Sequence, residues 1–214
     1  MIKEFNKRLL TSIIVIPLVL FFIIKGFYLF IFFLSTILLI SIYEWNRLSK
    51  NLYFVKILGI FFIILSIYSA YLLREEQGYL LFLFIISISI LTDLGGYFFG
   101  KLFKGPKFTK ISPNKTYSGV LGSFLFAISG GMFLIKSIVI LPILSNDLIH
   151  ISIIILSISL ISQFGDLIIS YFKRKSKVKD TGNLLPGHGG LLDRIDGIMF
   201  SVPFSYMFLN YLFY

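Results

Sequence analysis

Cysteine is absent from this chain, and acidic residues are scarce: 10 Asp and Glu stand against 20 Lys and Arg. The first absence excludes disulfides and thiolate metal ligands. Charge of either sign is also thin, at 14% of residues, while 57% are hydrophobic and the mean hydropathy is +0.92. A soluble core of 214 residues does not need so much apolar surface, which points to a polytopic membrane protein. The apolar runs are ~16–25 residues long and lack period-2 alternation, which favours helices over a β-barrel. Several soluble-enzyme signatures are missing as well. Gly100 to Lys107 lacks the Gly-Lys-Ser/Thr ending of a P-loop, and Asp93 to Gly100 lacks the strand–turn–helix frame of a dinucleotide fingerprint. There is no Ser-His-Asp grouping, and His150 reads as an interfacial residue rather than a ligand. No soluble domain remains to present a groove to nucleic acid, so the basic balance does not indicate that partner.

What is present is a series of greasy segments. The pattern predicts an all-α bundle of seven membrane helices over residues 9–24, 26–43, 52–73, 79–99, 117–135, 148–172 and 190–212, with a tight hairpin at Lys25-Gly26. The stretch Lys136 to Leu144 is either a loop or a short re-entrant segment. Lys3, Lys7 and Arg8 precede the first apolar run as they would in a signal peptide. That run lacks a small-x-small cleavage site, however, and contains Pro17, so it is read as a retained anchor.

Charge placement supports that count. With the N-terminus inside, the inner segments collect Lys3, Lys7, Arg8; Arg47, Lys50, Lys56; Lys101, Lys104, Lys107, Lys110, Lys115; and Lys173, Arg174, Lys175, Lys177, Lys179, Arg194. Of the 20 basic residues, only Lys25, Arg74 and Lys136 fall outside. This is the positive-inside pattern of a chain with a cytoplasmic N-terminus in a cytoplasmic membrane. The chain is taken as one integral-membrane domain: residues 1–91 mainly scaffold, 92–197 the chemical helices and inner loops, 198–214 the rest of the last helix.

Polar residues inside the spans locate the chemistry. Asp93 and Asp166 lie in apolar helices, where an ionised acid costs ~2.5–3.5 kcal/mol at the bilayer centre on insertion scales. Ser159, Ser162, Gln163, Asp166, Ser170 and Arg174 recur at helical spacing, and Asp93, Gly96 and Gly100 share a face of the fourth helix. These two lanes are expected to line one cleft open to the cytoplasm. Gly119, Ser123, Ala127 and Gly131 form a small-residue row suited to close helix packing.

The polar run Ser170 to Gly197 gathers bases, aspartates and the turn Pro186-Gly187-His188-Gly189-Gly190. Asp193 and Asp196 fall on one face at the mouth of the last helix. With Asp166 they offer hard oxygen ligands of the kind Mg²⁺ prefers. Carboxylates repel phosphates while Lys and Arg attract them, so a bridging divalent cation accounts for finding both together. Phosphoryl or nucleotidyl transfer uses such a site. The glycine-rich turn would close backbone N–H groups on a phosphate at the positive end of the helix.

These residues resemble the phosphatidate cytidylyltransferase (CDP-diacylglycerol synthase) family, whose C-terminal pattern runs S-x-x-K-R-x4-K-D-x-G-x-x-x-P-G-H-G-G-x-x-D-R-x-D. Ser170, Lys173, Arg174, Lys179, Asp180, Gly182, Pro186, Gly187, His188, Gly189, Gly190, Asp193, Arg194 and Asp196 all fit, and Gln163-Phe164-Gly165-Asp166 resembles the Q-x-G-D upstream. A second block resembles D-x-x-A-Y-x-x-G-R followed by S-P-x-K-T-x-E-G, through Asp93, Tyr97, Gly100, Ser112, Pro113, Lys115, Thr116 and Gly119. Gly96, Lys101, Asn114 and Ser118 depart from it, standing where Ala, Arg, Lys and Glu are usual. The N-terminal third matches only in hydropathy and in Glu44-Trp45.

The resemblance implies the reaction of CTP with phosphatidate to give CDP-diacylglycerol and pyrophosphate, with acyl chains entering sideways from the inner leaflet. It implies Asp166, Asp193 and Asp196 around Mg²⁺, with a second cation left open. Lys173, Arg174, Lys179 and Arg194 would then bind phosphates, and Ser112, Lys115 and Thr116 would contact nucleotide or phosphate. Ser170, Asp180 and the Gly187, His188, Gly189, Gly190 turn join the substrate-binding set, and Asp93 orders the cleft. The oligomeric state is left open, a homodimer included. The rival readings are a related CTP-dependent lipid kinase, a cation transporter using intramembrane Asp residues, and a catalytically inactive scaffold.

Overall fold

In the computed structural model, which describes residues 2–50, 52–109, 111–112, 115–137, 148–184 and 189–213, the described chain folds into seven helices. They are α1 (Ile2–Lys25), α2 (Phe27–Leu48), α3 (Tyr53–Gln77), α4 (Tyr79–Phe103), α5 (Tyr117–Ser137), α6 (Leu148–Lys175) and α7 (Leu192–Phe213). Each expected span falls on one of these, and most helices run a turn past the apolar segment into polar residues. The open question at Lys136 to Leu144 concerns mainly residues outside the described ones; Lys136 and Ser137 are the last residues of α5.

The breaks follow from local chemistry. Gly26 (φ 66°) ends α1, and Gly78 (φ 88°) separates α3 from α4, both in backbone regions that favour glycine. The α1 end is also capped in trans: Arg74 on α3 donates from Nε to the Ile23 carbonyl (3.1 Å) and from Nη2 to the Ile24 carbonyl (3.3 Å). A side chain at position 26 would collide with that guanidinium. At the end of α6, Val178 and Lys177 donate backward to the Lys173 and Arg174 carbonyls (3.0 and 3.1 Å), with Lys177 at φ 55°. This is a Schellman stop, and it turns the chain out of the helix.

α4 sits at the centre, against α5 above all and also against α3, α6 and α7. Its approach to α5 is made by glycines. A Cβ on Gly96 would lie 2.7 Å from Ser123 Oγ, and one on Gly119 would lie 2.8 Å from the Gly96 carbonyl. The small-residue row of α5 is therefore a packing surface, with Ala127 fully buried. The core includes Phe30, Leu73, Leu81, Ile85, Ile88, Ile155 and Ile158. Apolar side chains also face outward, among them Phe32, Phe61 and Leu121, as lipid contact requires. Five helices among the described residues are long and apolar enough to cross a membrane: Phe27–Leu48, Tyr53–Gln77, Tyr79–Phe103, Tyr117–Lys136 and Leu148–Lys175.

Hydroxyls join the helices where the interior is dry. Ser89 pairs with Ser201 (2.8 Å), Thr92 donates to Ser159 (2.8 Å), and Ser66 donates to the Met199 carbonyl (2.8 Å). This corrects one expectation. Ser159 and Ser162 are fully buried between helices, so the α6 stripe does not line an open cleft along its length. Gln163 and Asp166 are partly accessible, Ser170 is again buried, and Arg174 is exposed.

Candidate active site at the ends of the central helices

Two glycines bring α6 and α7 into backbone contact. A Cβ on Gly165 would stand 2.8 Å from the Asp196 carbonyl oxygen and 2.6 Å from the Phe200 ring, and one on Gly197 would meet the Ser162 carbonyl at 3.1 Å. With no side chain between the helices, Asp166 and Asp196 are held near one another. Asp93 joins them from α4: the charge of Asp166 bears on both Asp93 and Asp196, and that of Asp93 on Asp196. Asp93 is exposed, Asp166 half-buried, and Asp196 only 7% exposed. The Asp196 carboxylate accepts its neighbour Gly197 N–H at 2.9 Å.

Bases surround this acidic group. Lys115 reaches Asp166 Oδ2 at 2.6 Å, while Ser170 donates to Oδ1 at 3.2 Å. The charges of Lys115 and Arg194 also act on Asp93. Lys115 is aimed by a short hairpin between α4 and α5, in which Phe108 donates to the Lys115 carbonyl (2.8 Å), Lys115 to the Ser112 carbonyl (3.0 Å) and Tyr117 to the Pro106 carbonyl (3.2 Å).

Thr116 has a visible structural task. Its Oγ1 accepts the Gly119 N–H at 3.1 Å, making it the N-cap of α5. Ser118, which stands where the resembled pattern has Glu, donates to the Lys104 carbonyl and ties the hairpin to the end of α4.

Asp193 is engaged differently from the other acids. Its Oδ1 accepts Lys173 Nζ at 2.8 Å, and its Oδ2 accepts the Thr181 N–H (2.8 Å) and Gly190 N–H (3.1 Å), with the Thr181 hydroxyl oxygen 3.1 Å away. Gly189, at φ 88°, leaves room beside that carboxylate. The three acids of the expected metal trio, Asp166, Asp193 and Asp196, have different protein partners in this structure. Asp193 and Asp166 each have both oxygens in contact with protein donors, Asp193 with Lys173, Thr181 and Gly190 and Asp166 with Lys115 and Ser170, while the charges of Asp93, Asp166 and Asp196 bear on one another. Among the described residues no group of three His, Cys, Asp or Glu forms a ready-made metal cage. Arg174, Lys179, Asp180 and Arg194 are exposed, and Gly187 and His188 are outside the described residues.

One participant enters the sequence reading only as part of the Glu44-Trp45 match and is not assigned to the site there. Glu44 on α2, 2% exposed, accepts the Leu191 and Leu192 N–H groups at 2.9 Å each and the Thr181 hydroxyl at 2.8 Å. It caps α7 from a different helix. The available signal was a lone acid in an acid-poor apolar span, the same signal that singled out Asp93 and Asp166. The N-terminal helices thus contribute a side chain to the site, in addition to scaffold.

Fold and site together define a multi-helix membrane protein with an acidic cluster ringed by bases at one end of its bundle. Residues 51–212 match the family model described as "Cytidylyltransferase family". A phosphatidate cytidylyltransferase of Rickettsia bellii is 32% identical over 213 residues, covering 95% of this chain and 89% of that protein. The chain belongs to the cytidylyltransferase family. Phosphatidate cytidylyltransferases of Brucella suis and Bacillus subtilis are 39% identical over 153 residues and 44% over 119, matching 70% and 55% of this chain. The chain matches 55% of the length of the Brucella relative and 43% of the Bacillus one.

Proposed function

We propose that this protein joins CTP to phosphatidate, giving CDP-diacylglycerol and pyrophosphate. The observation that carries this reading is the Lys115–Asp166 pair at 2.6 Å, set beside Asp93 and Asp196. A cation already sits against the carboxylate that a divalent ion would need, and Mg²⁺ characteristically takes one or two carboxylates and completes its shell with water and substrate phosphate. Asp166 and Asp196 would hold it; Asp193 serves by fixing Lys173. When bound, the ion supplies charge neutralisation on the phosphate oxygens.

The remaining steps fall to the chain's own groups. A lipid phosphate oxygen forms the new bond to the α-phosphorus of CTP, and the bond from that phosphorus to the β-phosphate bridging oxygen breaks, releasing pyrophosphate. The attacking phosphate is already ionised near neutral pH, so no protein base has to take a proton. Lys173, Arg174, Lys179 and Arg194 bind the phosphates, and Lys115 exchanges Asp166 for substrate phosphate as the site loads.

An apolar cavity of about 220 Å³ supports sideways entry of acyl chains. Trp45, Gly59, Phe62, Phe172, Leu192 and Met199 are among its walls, and Phe172 and Leu192 are the chain neighbours of Lys173 and Asp193. We take all seven helices to cross the membrane, with the N-terminus and the site on the cytoplasmic side of the inner membrane, because the basic loops gather there. The deciding assay follows pyrophosphate from purified protein with CTP, phosphatidate and Mg²⁺. Label from α-labelled CTP entering the lipid supports the reading; label arriving only from the γ position indicates the lipid kinase instead.

A further inference from the structure

We propose that Glu44 is a positioning residue of the transfer site: it fixes the start of α7, and through it Asp193, Arg194 and Asp196. The inference rests on the cytidylyl-transfer reading above.

Both Glu44 oxygens are committed. Oε1 accepts the Leu191 N–H, and Oε2 accepts the Leu192 N–H and the Thr181 hydroxyl. All three donors come from the loop that enters α7 or from its first residue, more than a hundred residues away in sequence. These are N–H groups that a helix start leaves without partners, and a carboxylate there also opposes the helix dipole. Two glycines exist to admit it. A Cβ on Gly190 would stand 2.7 Å from Glu44 Oε2 and 2.6 Å from the Gly182 nitrogen, and one on Gly182 would crowd the same carboxylate.

Thr181 links this cap to the site, because its hydroxyl also lies 3.1 Å from Asp193 Oδ2 and its N–H donates to that atom. Glu44 and Asp193 therefore grip one residue from two sides. The helix that carries Glu44 is itself pinned. Trp45 donates to the Lys56 carbonyl at 3.2 Å and packs edge-on against Phe172 at 5.1 Å, and Ser176, just past α6, donates to the Leu48 carbonyl. The last turn of α2 thus clamps the end of α6 and the start of α7 together, although α2 touches α7 sparingly elsewhere. Asp196 lies one turn into α7, so a shift of that start moves it against Asp166. Displacements of about 1 Å in a catalytic constellation cost on the order of a hundredfold in rate.

The test compares wild type, Glu44→Gln and Glu44→Asp in nanodiscs, with kinetics and amide hydrogen exchange read on the same samples. Glu44→Gln keeps the shape but turns an NH₂ toward one set of donors. It is expected to lower kcat by about tenfold to a hundredfold, with KM for CTP and for phosphatidate changed less than about threefold. Exchange should quicken at Leu191 and Leu192 while the midpoint of thermal unfolding holds, and Glu44→Asp should recover part of the rate. Quickened exchange with wild-type kcat would reduce Glu44 to a structural cap and overturn the proposal. Unchanged exchange overturns the hold on α7 whatever the kinetics. A wild type that releases no pyrophosphate defeats the transfer reading alone, and the exchange arm still decides whether Glu44 holds α7.

Discussion

Lys173 donates to Asp193 across 2.8 Å, with the two side chains only 13% and 6% exposed, and this pair joins the last turn of α6 to the first turn of α7. The sequence between the two helices carries most of the resembled motif. The Lys173–Asp193 pairing ties the two helix ends together.

Removing one partner of a well-buried pair exposes the cost of the other. Lys173→Ala should lower stability by about 2–3 kcal/mol and weaken substrate binding in a more salt-sensitive way. The double variant Lys173→Ala/Asp193→Asn should regain part of the stability but none of the substrate affinity. Thermal unfolding in detergent and KM at two salt concentrations separate the two effects. Equal losses in the single and double variants would show that the pair is not coupled.

Asp196 forms no salt bridge with the described residues, and its substitution tests chemistry directly. Asp196→Asn should cut pyrophosphate release by more than about a hundredfold, with excess Mg²⁺ restoring little, since an amide oxygen is a poor substitute for a carboxylate at a hard cation. Near-normal turnover removes Asp196 from the site.

Gly165 is required by geometry alone. In Gly165→Ala the new methyl would sit 2.8 Å from the Asp196 carbonyl, and α6 must move from α7 to admit it. We expect about 1–3 kcal/mol of destabilisation together with a fall in kcat, because the same shift separates Asp166 from Asp196. An Ala variant with unchanged melting and rate would mean that the helices do not approach so closely.

Thr116 has two candidate roles that stability measurements separate. If capping α5 is its task, Thr116→Ala should cost about 1 kcal/mol and Thr116→Ser should restore it. If it contacts nucleotide as well, KM for CTP rises in the Ala variant beyond what the stability loss explains.

The helices were legible because each apolar run is as long as a bilayer is thick and its ends are marked by charge or glycine, as at Lys25-Gly26. Asp93, Asp166 and the Asp193/Asp196 pair were legible for a related reason: acids are costly in such surroundings, so their presence alone was a signal. What a sequence pattern could not supply was the partner of each acid. Asp193 and Asp196 share a helix face, yet one is consumed by Lys173, Thr181 and Gly190 while the other stands with Asp93 and Asp166.

Composition and periodicity determined that the chain is a helical membrane protein, where its helices run, and which residues carry unusual charge, because those properties depend on local chemistry and on transfer from water to lipid. The tertiary structure alone decided that the Gly165 and Gly197 contact sets the spacing of two acids and that Glu44 reaches α7. Both depend on how helices distant in sequence rotate and cross, which side-chain volume at a few contact points controls.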